Sequence, residues 1–150
     1  MYLLDVNVLI ALTWPAHESH ESIQRWFAKS SKSGWATCSF TQAAFVRIVS
    51  NPAFSPDAVT PDEAMSLLTA NLQHPAHEFW KNDIPFVDAV KPFQSKIVGH
   101  RQVTDAYLLG LAIHNKGRLV TMDRGVKSLL GAADSNAANL EVLFTYVQSK

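Results

Sequence analysis

Three aspartates stand where apolar segments end or begin. Asp5 closes the run Met1-Tyr2-Leu3-Leu4 and precedes Val8-Leu9-Ile10; Asp105 follows Thr104 and opens the apolar stretch 106–112; Asp123 follows Leu119-Val120-Thr121-Met122 and precedes Arg124-Gly125. A carboxylate set between buried runs must be hydrogen-bonded, paired or metal-bound. Taken singly, each has a plainer explanation. Asp5 can cap the next helix, Asp105 can answer the positive end of a helix, and Asp123 can form a turn ahead of glycine. Taken together, carboxylates delivered to one edge of a sheet repel one another unless a cation lies between them. A hard divalent ion with oxygen ligands, Mg²⁺ or Mn²⁺, suits such a set. The chemistry it points to is metal-assisted attack on a phosphodiester.

Delivery to one edge requires strands that run the same way. The chain alternates short apolar strands with helical patterns, which predicts βαβ units around a parallel sheet. Strands are expected at 2–4, 35–38, 77–80, 118–122 and 140–144. Helices are expected at 8–12, stopped by Pro15; from the Ser19 cap to about Lys29; and from Thr41 to the Asn51-Pro52 break. Thr60-Pro61-Asp62-Glu63 carries a capping threonine, a proline at the first helical position and a glutamate three residues after the cap, starting a helix to about Leu72. A helix over 85–98 is interrupted by Pro92. Thr104 is expected to cap a helix over 105–114, closed by Gly117, and a short helix follows at 126–130. In an open α/β sheet, ligands gather outside the carboxyl ends of the strands, where Asp5 and Asp123 fall.

The bulk properties narrow the class. The length of 150 residues suits one domain over 1–150, and 47% apolar with 17% charged residues is ordinary for a globular chain. No apolar stretch is long enough to span a membrane, and no basic segment followed by a long apolar one suggests a signal peptide, so a cytoplasmic location is expected with no membrane partner. Cys38 is the only cysteine, which excludes an internal disulfide and a thiolate-rich metal site. Thirteen basic residues balance thirteen acidic ones, so bulk charge does not coat this protein with nucleic acid.

Four segments, in order, resemble PIN-domain ribonucleases, most of all the VapC-type toxins of bacterial toxin–antitoxin pairs. They are Leu3-Leu4-Asp5-Val6-Asn7-Val8-Leu9; Thr41-Gln42-Ala43-Ala44-Phe45-Val46-Arg47 with Ser50-Asn51-Pro52; Val103-Thr104-Asp105-Ala106-Tyr107-Leu108; and Val120-Thr121-Met122-Asp123-Arg124-Gly125. The resemblance implies a three-layer α/β/α sandwich with a mainly parallel central sheet. It also implies a Mg²⁺- or Mn²⁺-dependent endoribonuclease that cleaves RNA with a metal-activated water and leaves 5′-phosphate and 3′-hydroxyl ends. By resemblance Asp5, Asp105 and Asp123 are catalytic and metal-holding, with Asp123 acting directly or through water. Asn7, Gln42, Thr104, Thr121 and Arg124 are expected behind them or against substrate, with Arg101 a further phosphate contact. A cognate antitoxin and a homodimer are implied partners. Gln42 departs from the pattern, since the family often has a glutamate there. That exchange removes a negative charge and leaves the number of metals open.

The departure keeps alive a second reading, a catalytically weak or silent PIN fold that binds RNA or protein. A phospho-acceptor role for Asp5 fits poorly, because such sites want a second acid two residues on and position 7 is asparagine. The pairs His17/His20 and His74/His77 lack partners at zinc-site spacing and are read as surface residues. Phe86, Val87, Val90 and Phe93 form a candidate exposed patch for a partner.

Overall fold

The computed structural model describes residues 1–143. Five short strands form one sheet in the order β3-β2-β1-β4-β5: β1 (Tyr2–Leu4), β2 (Trp35–Thr37), β3 (His77–Phe79), β4 (Arg118–Thr121) and β5 (Leu140–Val142). Every pairing is parallel, with Leu3 opposite Ala36 and Leu119, and Leu4 opposite Val120. Side chains alternate across a strand, so neighbouring apolar residues feed two different cores. Leu3, Ala36 and Leu119 face one layer, built from α5 (Phe86–Val90) and α6 (Val103–His114). Leu4, Trp35 and Val120 face the other, built from α1 (Val6–Thr13), α2 (His20–Ser30), α3 (Ser39–Val49) and α4 (Pro61–Leu72). The result is the expected three-layer α/β/α sandwich.

The chain winds outward from β1 through β2 to β3, then returns across β1 to build β4 and β5. Strand order therefore reverses between β1 and β4. A crevice opens at such a switch point, beyond the carboxyl ends of the two strands.

Several boundaries differ from the sequence expectation, each for a local reason. Helix α1 begins at Val6, because Asp5 itself is the cap and accepts the Val6 N–H at 2.7 Å. Helix α3 begins at Ser39, and Thr41 lies inside its first turn with its hydroxyl accepting the Cys38 N–H at 3.0 Å. Helix α6 begins at Val103, so Thr104 is an exposed first-turn residue and Gln102 holds the cap position. The expected helix over 85–98 is α5 followed by a 3₁₀ segment Lys91–Lys96, where Pro92 has no N–H to continue an α-helical ladder. The helix expected at 126–130 is a 3₁₀ segment, Arg124–Leu129. Of the last expected strand, Phe144 lies outside the described residues.

His17, His20, His74 and His77, read from the sequence as surface residues, are half-buried and hydrogen-bonded. His74 Nδ1 accepts the Trp35 indole N–H at 3.2 Å, and His20 Nδ1 lies 2.8 Å from the Ala11 carbonyl. The proposed apolar patch divides in two: Phe86 and Val87 are exposed, while Val90 and Phe93 are core. At the α5–α6 crossing, Gly110 lets the helices touch, since a Cβ there would stand 2.2 Å from the Ala89 carbonyl oxygen.

Candidate active site

Asp5 is 6% exposed, and its two oxygens are held from different sides. Oδ1 accepts the Val6 N–H at 2.7 Å; Oδ2 accepts the Thr121 hydroxyl at 2.7 Å and, more loosely, the Asn7 amide at 3.4 Å. Thr121 is fully buried at the end of β4, and its hydroxyl is saturated. It donates to Asp5 and accepts from Asn7 Nδ2 at 3.0 Å and from the Asp123 N–H at 3.0 Å. Asn7 Oδ1 accepts the Met122 N–H at 3.1 Å, so Asn7 ties α1 to the chain leaving β4. Asp123 Oδ1 accepts the Gly125 N–H at 2.7 Å, which fixes an exposed carboxylate at the rim. Asp5 caps the helix, and Asn7 braces Asp5 through Thr121.

Asp105 comes from the first turn of α6, which packs against β1 and β4. Burial, then the charges of Asp5 and Asp123, push its pKa up to about 6. Burial also raises Asp5, against the Thr121 and Val6 hydrogen bonds, and Asp123 adds to the rise. The three acids thus lie within electrostatic reach of one another at the β1–β4 switch point. Among the described residues, no three acidic, histidine or cysteine side chains close into a preformed cage. They bound an open cleft instead.

The donor set fits a hard divalent ion. All the converging charged groups are carboxylates, and desolvation and mutual repulsion both disfavour their ionised forms. A cation between them reverses the sign of the repulsion. Mg²⁺ is bound through one or two carboxylates while retaining waters, so an open arrangement suits it better than a closed cage.

Gln42 occupies the second turn-facing position of α3 and is half-buried. Its Nε2 donates to Thr37 Oγ1 at 2.9 Å, and Thr37 Oγ1 lies 2.8 Å from His77 Nε2. Burial holds the His77 pKa below the usual histidine value, in keeping with a neutral ring. Sequence reasoning missed Thr37 and His77. The available signal was a lone hydroxyl residue ending the apolar strand Trp35-Ala36-Thr37. Thr104 and Arg124 are exposed near Asp105 and Asp123 respectively.

Two exposed aromatic rings pack on the buried Tyr107 of α6. Tyr107, two residues after Asp105, stacks on Phe86 with centroids 5.9 Å apart and meets Phe40 at 5.1 Å. Phe40, Phe86, Val87 and Val103 are all exposed.

A family model described as the PIN domain matches residues 2–129. Ribonuclease VapC39 of Mycobacterium tuberculosis (strain ATCC 25618 / H37Rv) is 44% identical over 142 residues, covering 94% of this chain and 98% of the relative. Ribonuclease VapC38 of the same strain is 46% identical over 129 residues, covering 86% and 89%. Among solved structures, VapBC2 from Rickettsia felis, bound to a DNA fragment from its promoter, superposes with a TM-score of 0.61 at 18% identity. That match covers 94% of this chain and 97% of the other, and shows a shared fold. FitAcB from Neisseria gonorrhoeae superposes with a TM-score of 0.57 over 86% and 92% of the two chains. With the acids at the switch point, these matches make the chain a member of the PIN-domain family and, within it, of the VapC ribonucleases.

Proposed function

We propose that this chain is a metal-dependent endoribonuclease and the toxin of a toxin–antitoxin pair, acting as one nuclease domain over 1–150. The observation that carries the reading is the meeting of Asp5, Asp105 and Asp123 at the β1–β4 switch point, with repulsion among them as the dominant mutual interaction. The names of the relatives support the ribonuclease activity. Asp5, Asp105 and Asp123 would hold Mg²⁺ or Mn²⁺. When bound, such an ion makes water more acidic and offsets charge on the phosphate oxygens.

The chain's own residues supply the rest. Thr121, Val6 and Asn7 lock Asp5 in one orientation, so little reorganisation accompanies substrate entry. Asp105, with its pKa near 6, takes up or releases a proton in the neutral range. Asp123 is held at the rim by Gly125, where it can orient the attacking water. Arg124 and Arg101 are exposed and suit phosphate contacts. Gln42, as an amide anchored to Thr37, contributes position rather than charge.

A cognate antitoxin fits the exposed rings of Phe40 and Phe86, which pack on the buried Tyr107, and a homodimer is proposed on family grounds. No helix among the described residues is long and apolar enough to cross a membrane, and we place the protein in the cytoplasm. The neutral Gln42 favours a second reading, a silent PIN fold that binds RNA without cutting it.

Cleavage of structured RNA with Mn²⁺, run beside Asp5→Asn and a chelator control, separates the two. Cleavage that is lost in the variant and in chelator supports the enzyme. Equal cleavage by wild type and variant, or RNA binding with no cleavage at any Mn²⁺ concentration, overturns it.

A further inference from the structure

Asp105 and Asp123 are carried by different segments, and repulsion between them pushes those segments apart. Apolar packing opposes this from below, because Val126 and Leu129 of the 3₁₀ segment Arg124–Leu129 are buried in the same core as Ala106 and Leu109 of α6. Such contacts are non-directional and set separation better than register. A second, directional link runs along the surface. Gln102, the cap residue of α6, donates from Nε2 to Ser128 Oγ at 3.0 Å. Ser128 Oγ in turn donates to the Gly125 carbonyl at 2.7 Å, and the Gly125 N–H donates to Asp123 Oδ1 at 2.7 Å. On its other side, Gln102 Oε1 accepts the Val98 N–H at 2.7 Å and the Gly99 N–H at 3.2 Å, fixing the loop that leads into α6.

We propose that Gln102 and Ser128 form a positioning clamp that fixes the helix start bearing Asp105 against the turn bearing Asp123. The proposal rests on the metal-dependent reading above. Neither residue touches the acids' reacting oxygens, and both act through others. Gln102 reaches both partners because its amide offers an acceptor to the loop and a donor to Ser128. Neither an aliphatic residue nor a carboxylate at 102 can do both. Ser128 is exposed and supports no core contact, so its loss leaves the fold intact. The clamp therefore governs how readily the two acids share one ion.

The test measures Mn²⁺ binding by calorimetry in the absence of RNA, with melting temperature read on the metal-free proteins. Wild type is compared with Ser128→Ala, Gln102→Leu, the double variant, and Ser128→Thr, which keeps the hydroxyl. The expected result is roughly threefold weaker Mn²⁺ binding in Ser128→Ala, below the roughly 10–100-fold typical of groups bonded directly to a ligand. Its melting temperature should be unchanged, and Ser128→Thr should regain wild-type affinity. The double variant should bind no worse than Gln102→Leu alone, because both substitutions cut one chain. Wild-type affinity in Ser128→Ala overturns the clamp while the metal site stands. A wild type that binds no Mn²⁺, or binds it equally well as Asp5→Asn, overturns the metal-site reading and the clamp with it.

Discussion

The Thr121 hydroxyl donates to Asp5 Oδ2 across 2.7 Å, joining residues 116 positions apart. That single hydroxyl serves three groups, since it also accepts from Asn7 and from the Asp123 backbone. Replacing it by a methyl group of the same shape removes the short bond to the buried Asp5 and takes a partner from the half-buried Asn7 amide and the Asp123 N–H. Thr121→Val should lower unfolding free energy by about 2–3 kcal/mol, the usual penalty for orphaned buried polar groups. It should also reduce RNA cleavage more steeply than stability, because Asp5 loses its orientation. Thr121→Ser should retain most of both. Urea unfolding and initial cleavage rates measured on the same preparations check this; a Val variant as stable as wild type would show that the hydroxyl is dispensable.

The Gln42–Thr37–His77 chain makes a separate prediction about proton order. Gln42 donates to Thr37, whose hydroxyl lies 2.8 Å from Nε2 of His77, and burial holds that imidazole's pKa below the usual histidine value. Gln42→Glu offers only acceptors, so the Thr37 proton must turn toward position 42 and His77 must then donate from Nε2. The expected outcome is a raised His77 pKa and a hydrogen on Nε2, read from imidazole nitrogen chemical shifts. If the carboxylate also reaches the cleft, half-saturating Mn²⁺ should fall. Unchanged His77 shifts in the variant would show that the three groups are not linked in solution.

Acidity near neutral pH enters through Asp105. Its folded-state pKa of about 6 stands above its ordinary 3.8. The folded protein therefore holds that proton more tightly than the unfolded chain. Stability at this residue is greatest below about pH 4 and is lost as pH rises through about 6. In metal-free buffer, wild type should lose on the order of 1–2 kcal/mol relative to Asp105→Asn between pH 4 and pH 7, after allowance for partial solvation. Saturating Mg²⁺ should flatten that difference. Conversely, metal binding should weaken below about pH 6, where protons compete for the same oxygens. Denaturant titrations of the two proteins across this range, with and without Mg²⁺, provide the measurement.

Gly110 sits in the middle of a helix, where alanine ordinarily gains about 1 kcal/mol. Here the new Cβ meets a backbone carbonyl oxygen at 2.2 Å, which no rotamer change relieves. Overpacking penalties of roughly 1–3 kcal/mol or more then outweigh the helical gain. Gly110→Ala should melt at a lower temperature than wild type and should shift α5, carrying Phe86 and Val87 with it. Calorimetry settles the sign.

The sheet and its acids were legible because parallel strands buried on both faces leave continuous apolar runs. Leu3-Leu4 and Leu119-Val120 announce themselves, and the carboxylate at the end of each run, Asp5 and Asp123, gains its meaning from the joint pattern with Asp105. Thr121 was visible only as a strand residue; its bond to Asp5 follows from the β1–β4 register, which spacing alone does not specify. Helix starts were misplaced where the chain turned helical ahead of the expected threonine, at Ser39 before Thr41 and at Val103 before Thr104. The pairs His17/His20 and His74/His77 were read as surface residues, and Gln102 drew no notice, for one shared reason. Hydrogen bonds such as His74 with Trp35 or Gln102 with Ser128 depend on neighbours remote in sequence and leave no periodic trace.

Strand β1 carries one acid but pairs on one side with β4, whose residues are joined to the chain more than a hundred positions later. During synthesis, the amino-terminal half can collapse on α1–α4 long before its partner strand leaves the ribosome. Until that strand docks, Asp5 lacks Thr121, and Asp123 has no place beside it. A chain that ends before residue 118 lacks Thr121 and Asp123 altogether, so the three acids can be brought together only once β4 and the turn after it have been made.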